Sequence, residues 1–86
     1  MTYQDIRYYT SDGVGLSLCY LWTSKKCSVT DIWDAAEDAI DGNDFITRIN
    51  SLHLLNTFVL DRENDKRVRL KTTDTTGTSC YLELIK

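Results

Sequence analysis

Six carboxylates, Asp31, Asp34, Glu37, Asp38, Asp41 and Asp44, fall in one stretch of the chain that contains no lysine or arginine. Such a set can attract positive charge, because carboxylates three and four residues apart on a helix stand ~5–6 Å from one another. Their mutual repulsion would be relieved by a partner rich in Lys and Arg, and their field would speed its encounter. General acid–base chemistry is a poorer fit. A catalytic carboxyl needs an apolar wall to raise its pKa, and these acids share one polar face. The remaining seven acids face all ten basic residues, so the rest of the chain is net positive although the whole carries −3.

A second charged set runs the other way. Arg62, Lys66, Arg67, Arg69 and Lys71 are opposed only by Glu63 and Asp65 in that window. A basic hairpin over residues 62–71 could follow a phosphate backbone. The stretch has no interleaved aromatics for stacking bases, and basic residues on an edge strand also serve to block edge pairing.

Other chemistry is thinner. Cys27 and His53 are the only nucleophile–base pairing on offer, as a small Cys/His enzyme or sensor, and nothing in the spacing joins them. Cys19, Cys27, His53 and Cys80 are four zinc-capable side chains without a Cys-x-x-Cys knuckle. Residues Asp38 to Asp44 lack the alternation and the later glutamate of a calcium loop. No metal, cofactor or catalytic residue is expected.

The elements that must hold these residues can be read from periodicity. Ile6–Tyr9 and Leu16–Trp22 read as strands around a turn at Ser11–Gly15, where Asp12-Gly13 suits positive φ. Ser28-Val-Thr-Asp31 fits a capping box, and Val29, Ile32, Trp33, Ala36 and Ile40 then form an apolar stripe. Ile32 and Trp33 are therefore expected in the core. Asp31, Asp34, Asp38 and Asp41 lie on the reverse face with Glu37 at its margin, and Gly42 is placed to end the helix. A second short helix, Phe45 to about Leu52, can be capped by Asn43 or Asp44. Thr57–Asp61, Arg67–Thr72 and Cys80–Ile85 read as strands. Tyr3, Tyr8, Tyr9, Tyr20 and Trp22 belong mostly to the core or its rim, and because Tyr8 and Tyr9 point to opposite faces, one of them is a candidate interface anchor.

These readings predict a single domain over residues 1–86 of α+β class. An antiparallel sheet of about five strands, in the order β-β-α-(α)-β-β-β, carries one amphipathic acidic helix on one face. A chain of 86 residues buries only roughly 60–65% of its unfolded surface, leaving little room for a large substrate pocket. Three cysteines, an odd number, and an N-terminus without an apolar run predict reduced thiols and a cytoplasmic protein, with no membrane span.

In size and composition the chain resembles small phage-encoded antagonists of host defence nucleases, anti-CRISPR proteins among them. The resemblance is of kind and attaches to no particular positions. It implies host-defence evasion in the host cytoplasm. The function expected is a non-enzymatic protein-interaction module, monomer or homodimer. It would act as an inhibitor that docks its acidic helix on a basic partner such as a nucleic-acid-processing enzyme. The alternative is a small nucleic-acid-binding regulator using the basic hairpin.

Overall fold

The computed structural model describes residues 1–22, 28–73 and 76–86. Strand β1 (Asp5–Thr10) turns back at Gly13, whose φ of 86° only glycine adopts without strain, into a two-residue strand β2 (Gly15–Leu16). Helices α1 (Val29–Asp38) and α2 (Gly42–Asn50) follow. Strands β3 (Val59–Glu63), β4 (Arg67–Thr73) and β5 (Ser79–Ile85) complete one antiparallel sheet of order β2-β1-β5-β4-β3. The α+β class and the five-stranded antiparallel sheet agree with the sequence expectation.

Alternation along the central strands sorts their side chains into two faces. Val68, Leu70 and Thr72 on β4 stand opposite Leu84, Leu82 and Cys80 on β5, and all six are buried under the helices with Ile32, Phe45, Ile49 and Phe58. Arg67, Arg69, Lys71, Tyr81, Glu83, Arg7 and Tyr9 take the other face. The Asn50 amide ties the layers together, donating to the Phe58 carbonyl at 3.0 Å and accepting from the Phe58 N–H at 2.9 Å.

A bulge at Asp61 sets the phase of β3. Leu60 pairs with Leu70 and Arg62 with Arg69, so Asp61 is the extra residue. The extra residue lets Asp61 bond Arg69 at 2.7 Å on the outer side. It also returns Glu63 to the helix side, where Glu63 accepts the Gly42 N–H at 2.9 Å. A carboxylate there complements the positive end of α2. A Cβ on Gly42 would fall 2.6 Å from that carboxylate.

Four expectations are corrected. The strand foreseen over Leu16–Trp22 ends at Leu16, because Ser17 caps a 3-10 turn, Leu18–Leu21, accepting from the Cys19 N–H at 3.2 Å. Helix α1 ends at Asp38, and Gly42 opens α2 rather than closing α1. Ser28 makes no side-chain cap; the reciprocal capping arises at Asp41, which accepts the Asp44 N–H at 2.8 Å while Asp44 accepts the Ile40 N–H at 3.0 Å. The thiols are not all reduced: Cys19 is disulfide-bonded, and buried Cys80 is a free thiol. An odd cysteine count excludes only the pairing of every thiol, so two could still bond.

Candidate docking surface on the acidic helix

Helix α1 buries Ile32, Ala35 and Ala36 and leaves Trp33 49% exposed. The expected core position of Trp33 is thus overturned, as is that of Ile40, which is 84% exposed just beyond the helix. At about 100° per residue, the buried stripe is centred near Ala36 and Ile32 and extends to Ala35, on the side away from Trp33. The cause is α2. Its packing against α1 recruits the small Ala35, which a stripe drawn from large side chains ignores.

That rotation places an indole at the edge of the acidic face. Asp31, Asp34, Glu37 and Asp38 are all exposed on α1, Glu37 one turn from Trp33 and the three aspartates farther round the helix, toward Arg48 of α2. Among the described residues, none of their four carboxylates has a hydrogen-bonding or ion-pair partner. Tyr3 lies alongside, and its phenol is held above its usual pKa by burial first and then by Glu37 and Asp34. Tyr3 and Trp33 line one shallow groove with Leu18. The C-terminal end of α1 is met by the Met1 amino group, which donates to the Glu37 and Ala39 carbonyls.

The other two predicted acids do different work. Asp41 and Asp44 cap α2 as described, and Asp44 also pairs with Arg48 at 3.1 Å. The Asp44 carboxyl is held below the usual carboxylate range, chiefly by the Ile40 N–H and then by Arg48. A depressed folded value means that its stabilisation is complete above the ordinary carboxylate pKa and is lost as pH falls through the folded one. Asp44→Asn should therefore melt below wild type at pH 7, and the gap should narrow at pH 3, below the ordinary carboxylate range. A gap that is equal at both pH values would show that charge on Asp44 contributes nothing.

The basic residues occupy the opposite side of the molecule. Strand β4 lies inside the sheet between β5 and β3, so its cations do not guard an edge. Arg69 pairs with Asp61 at 2.7 Å and lies over the Tyr81 ring at 4.6 Å, and Arg67 approaches Glu83 at 3.5 Å. Arg62, Lys66 and Lys71 have no ion pair among the described residues. Tyr9 meets Tyr81 with ring centroids 5.5 Å apart. Sequence reasoning found the cations and offered Tyr9 as one of two candidate anchors but missed Tyr81, because β5 brings it to Tyr9 from a distant position. The signal was present in the alternation of Tyr81 with Leu82 and of Tyr8 with Tyr9.

Cys27 lies outside the described residues, so the Cys27–His53 pairing weighed from the sequence does too. His53 itself is exposed and has φ 54°, in the left-handed region that ends a helix, just after α2. Among the described residues no group of three or more His, Cys, Asp and Glu side chains could hold a metal ion. No described helix is long and apolar enough to cross a membrane. In comparisons with known proteins, no family model, curated protein or solved structure matches the chain.

Proposed function

We propose that this domain is a non-catalytic protein-interaction module that docks the acidic face of α1 on a basic partner. The observation that carries the reading is the half-exposed Trp33 at the edge of a face of four exposed carboxylates without partners among the described residues. Binding energy at protein interfaces concentrates in a few aromatic or arginine anchors, and surrounding charge sets encounter rate and register. Trp33 would be the anchor. Asp31, Asp34, Glu37 and Asp38 would be the steering charge, and Tyr3 would supply the rim.

A partner with a cationic groove, such as a nucleic-acid-processing enzyme, has the complementary chemistry. In blocking such a groove the domain would act as an inhibitor, the role implied by its likeness in size and composition to phage-encoded antagonists of host defence. The docking surface contains no cysteine, so it would serve equally in the cytoplasm, where disulfides are reduced.

The test compares wild type with a variant carrying Asp31→Asn, Asp34→Asn and Asp38→Asn, which leaves the α2 caps intact. The partner retained from a lysate by wild type is identified, and association kinetics are then measured at two ionic strengths. The variant should fold as well as wild type or slightly better, since like-charge pairs at i+3 and i+4 are removed. Its association rate at low salt should fall on the order of tenfold, with a flatter salt dependence. Identical rates and slopes would reduce the acidic face to a solvated surface.

A further inference from the structure

The helices cover one face of the sheet, and the face they leave open has a composition of its own. Register lays it out in rows. Tyr9, Tyr81, Lys71 and Val59 stand side by side across β1, β5, β4 and β3, and Arg7, Glu83, Arg69 and Arg62 form the next row. Arg67 and Asp5 flank Ile85 in the third. At strand spacings of ~4.8 Å the four strands span roughly 15 Å.

Three features of this face fit one class of ligand. Tyr9 and Tyr81 form a tilted ring pair on adjacent central strands, so flat groups could stack on or beside them. Arg69 is fixed over Tyr81 at 4.6 Å by its 2.7 Å bond to Asp61, a planar cation already oriented for stacking or for phosphate. Lys71, beside Tyr81, has no ion pair among the described residues. Glu83, only 5% exposed, sits between Arg7 and Arg69 in register and meets Arg67 at 3.5 Å, while Arg7 pairs with the exposed Asp5 at 2.9 Å, a solvent-facing contact that a phosphate can replace. A groove of about 790 Å³ continues this face past β1, lined by Arg7, Tyr9, Leu16, Arg67 and Glu83 among others.

We propose that the open face of the sheet binds single-stranded nucleic acid, with bases stacked at Tyr9 and Tyr81 and phosphates held by Lys71, Arg67 and Arg7. Stacking on aromatics tolerates any base, and a sheet face with paired aromatics accommodates two or three of them. Charge favours a single strand over a duplex. Five cations (Arg7, Arg62, Arg67, Arg69 and Lys71) share the face with three carboxylates (Asp5, Asp61 and Glu83), which suits a few phosphates and not a duplex's dense double row. This surface is separate from α1 and stands or falls independently of the docking reading.

The experiment is an anisotropy titration of the whole domain with fluorescein-labelled dT12 and U12, a duplex of equal length, and poly-glutamate as a polyanion control. Either single strand should bind more tightly than both controls. The salt slope should be about −2, as for two or three phosphate contacts. Tyr81→Leu, which keeps apolar bulk in the sheet, should weaken binding roughly five-fold or more. Lys71→Gln should flatten the slope by about 0.7, and the Asp31, Asp34 and Asp38 variant should bind at least as well as wild type. The proposal is overturned if wild type binds neither single strand at low salt. It is equally overturned if poly-glutamate binds as tightly, or if both Tyr81→Leu and Lys71→Gln, verified as folded, leave affinity and slope unchanged.

Discussion

Phe45→Ala should leave the domain largely unfolded at 37 °C. Phe45 is fully buried on α2 among the core residues contributed by the helices and the sheet. Removing a buried phenyl ring forfeits its transfer free energy and leaves a cavity, together costing roughly 3–5 kcal/mol. Stabilities of natural domains begin near ~5 kcal/mol, and one of 86 residues has a small core to draw on. The loss would also reach beyond the cavity. Helix α2 carries the Asn50 amide that holds Phe58 and the N-terminus that Glu63 meets, so loosening α2 releases the start of β3 as well. Urea titration followed by circular dichroism measures the effect, and Phe45→Leu, which leaves a smaller void, should fall between the two. A Phe45→Ala midpoint within error of wild type would mean that α2 does not hold the layers together.

The sheet was legible wherever one physical constraint dominated. Val68 and Leu70 alternate with Arg67, Arg69 and Lys71, and a strand buried on one side permits no other register. Asp12-Gly13 marked the first turn because that position needs positive φ. The expectation failed where two signals competed. Leu16, Leu18, Tyr20 and Trp22 have a strand's period, yet a local hydrogen bond to Ser17 ends the strand at its second residue. Gly42 suits either a helix end or a helix start. The Asp41–Asp44 caps decided for the start, which ended α1 early and gave two predicted docking acids a structural task.

The candidate surfaces divide along the same line. Their charges were plain in the sequence because charge is a property of residue type. Their aromatic members were plain only in part: Tyr9 was one of two candidate anchors, whereas the places of Trp33 and Tyr81 depend on what packs alongside. Trp33 and Ile32 are adjacent and both apolar, and the packing of α1 in the fold, against α2 among others, buries one and leaves the other half exposed. Tyr9 and Tyr81 lie far apart in sequence and meet only because β5 pairs with β1.

Trp33→Ala separates folding from docking more sharply than any other change. On the expectation that Trp33 is a core residue, its loss would cost as much as that of Phe45. With 49% of Trp33 exposed on α1, and with Ile32, Ala35 and Ala36 filling the buried side, the same substitution should cost about half as much, roughly 2 kcal/mol. The melting temperature should then fall by roughly 8–16 °C. Binding should respond quite differently. An aromatic anchor at the centre of an interface contributes about 2 kcal/mol or more, so affinity should fall at least thirty-fold, mostly through faster dissociation. Neutralising Asp31, Asp34 and Asp38 should instead slow association, because those charges act before contact. The two variants would thus lose affinity by different rates, which surface plasmon resonance with the identified partner resolves. A Trp33→Ala protein that is destabilised like Phe45→Ala would return the indole to the core. One that folds normally and dissociates no faster than wild type would remove Trp33 from the interface.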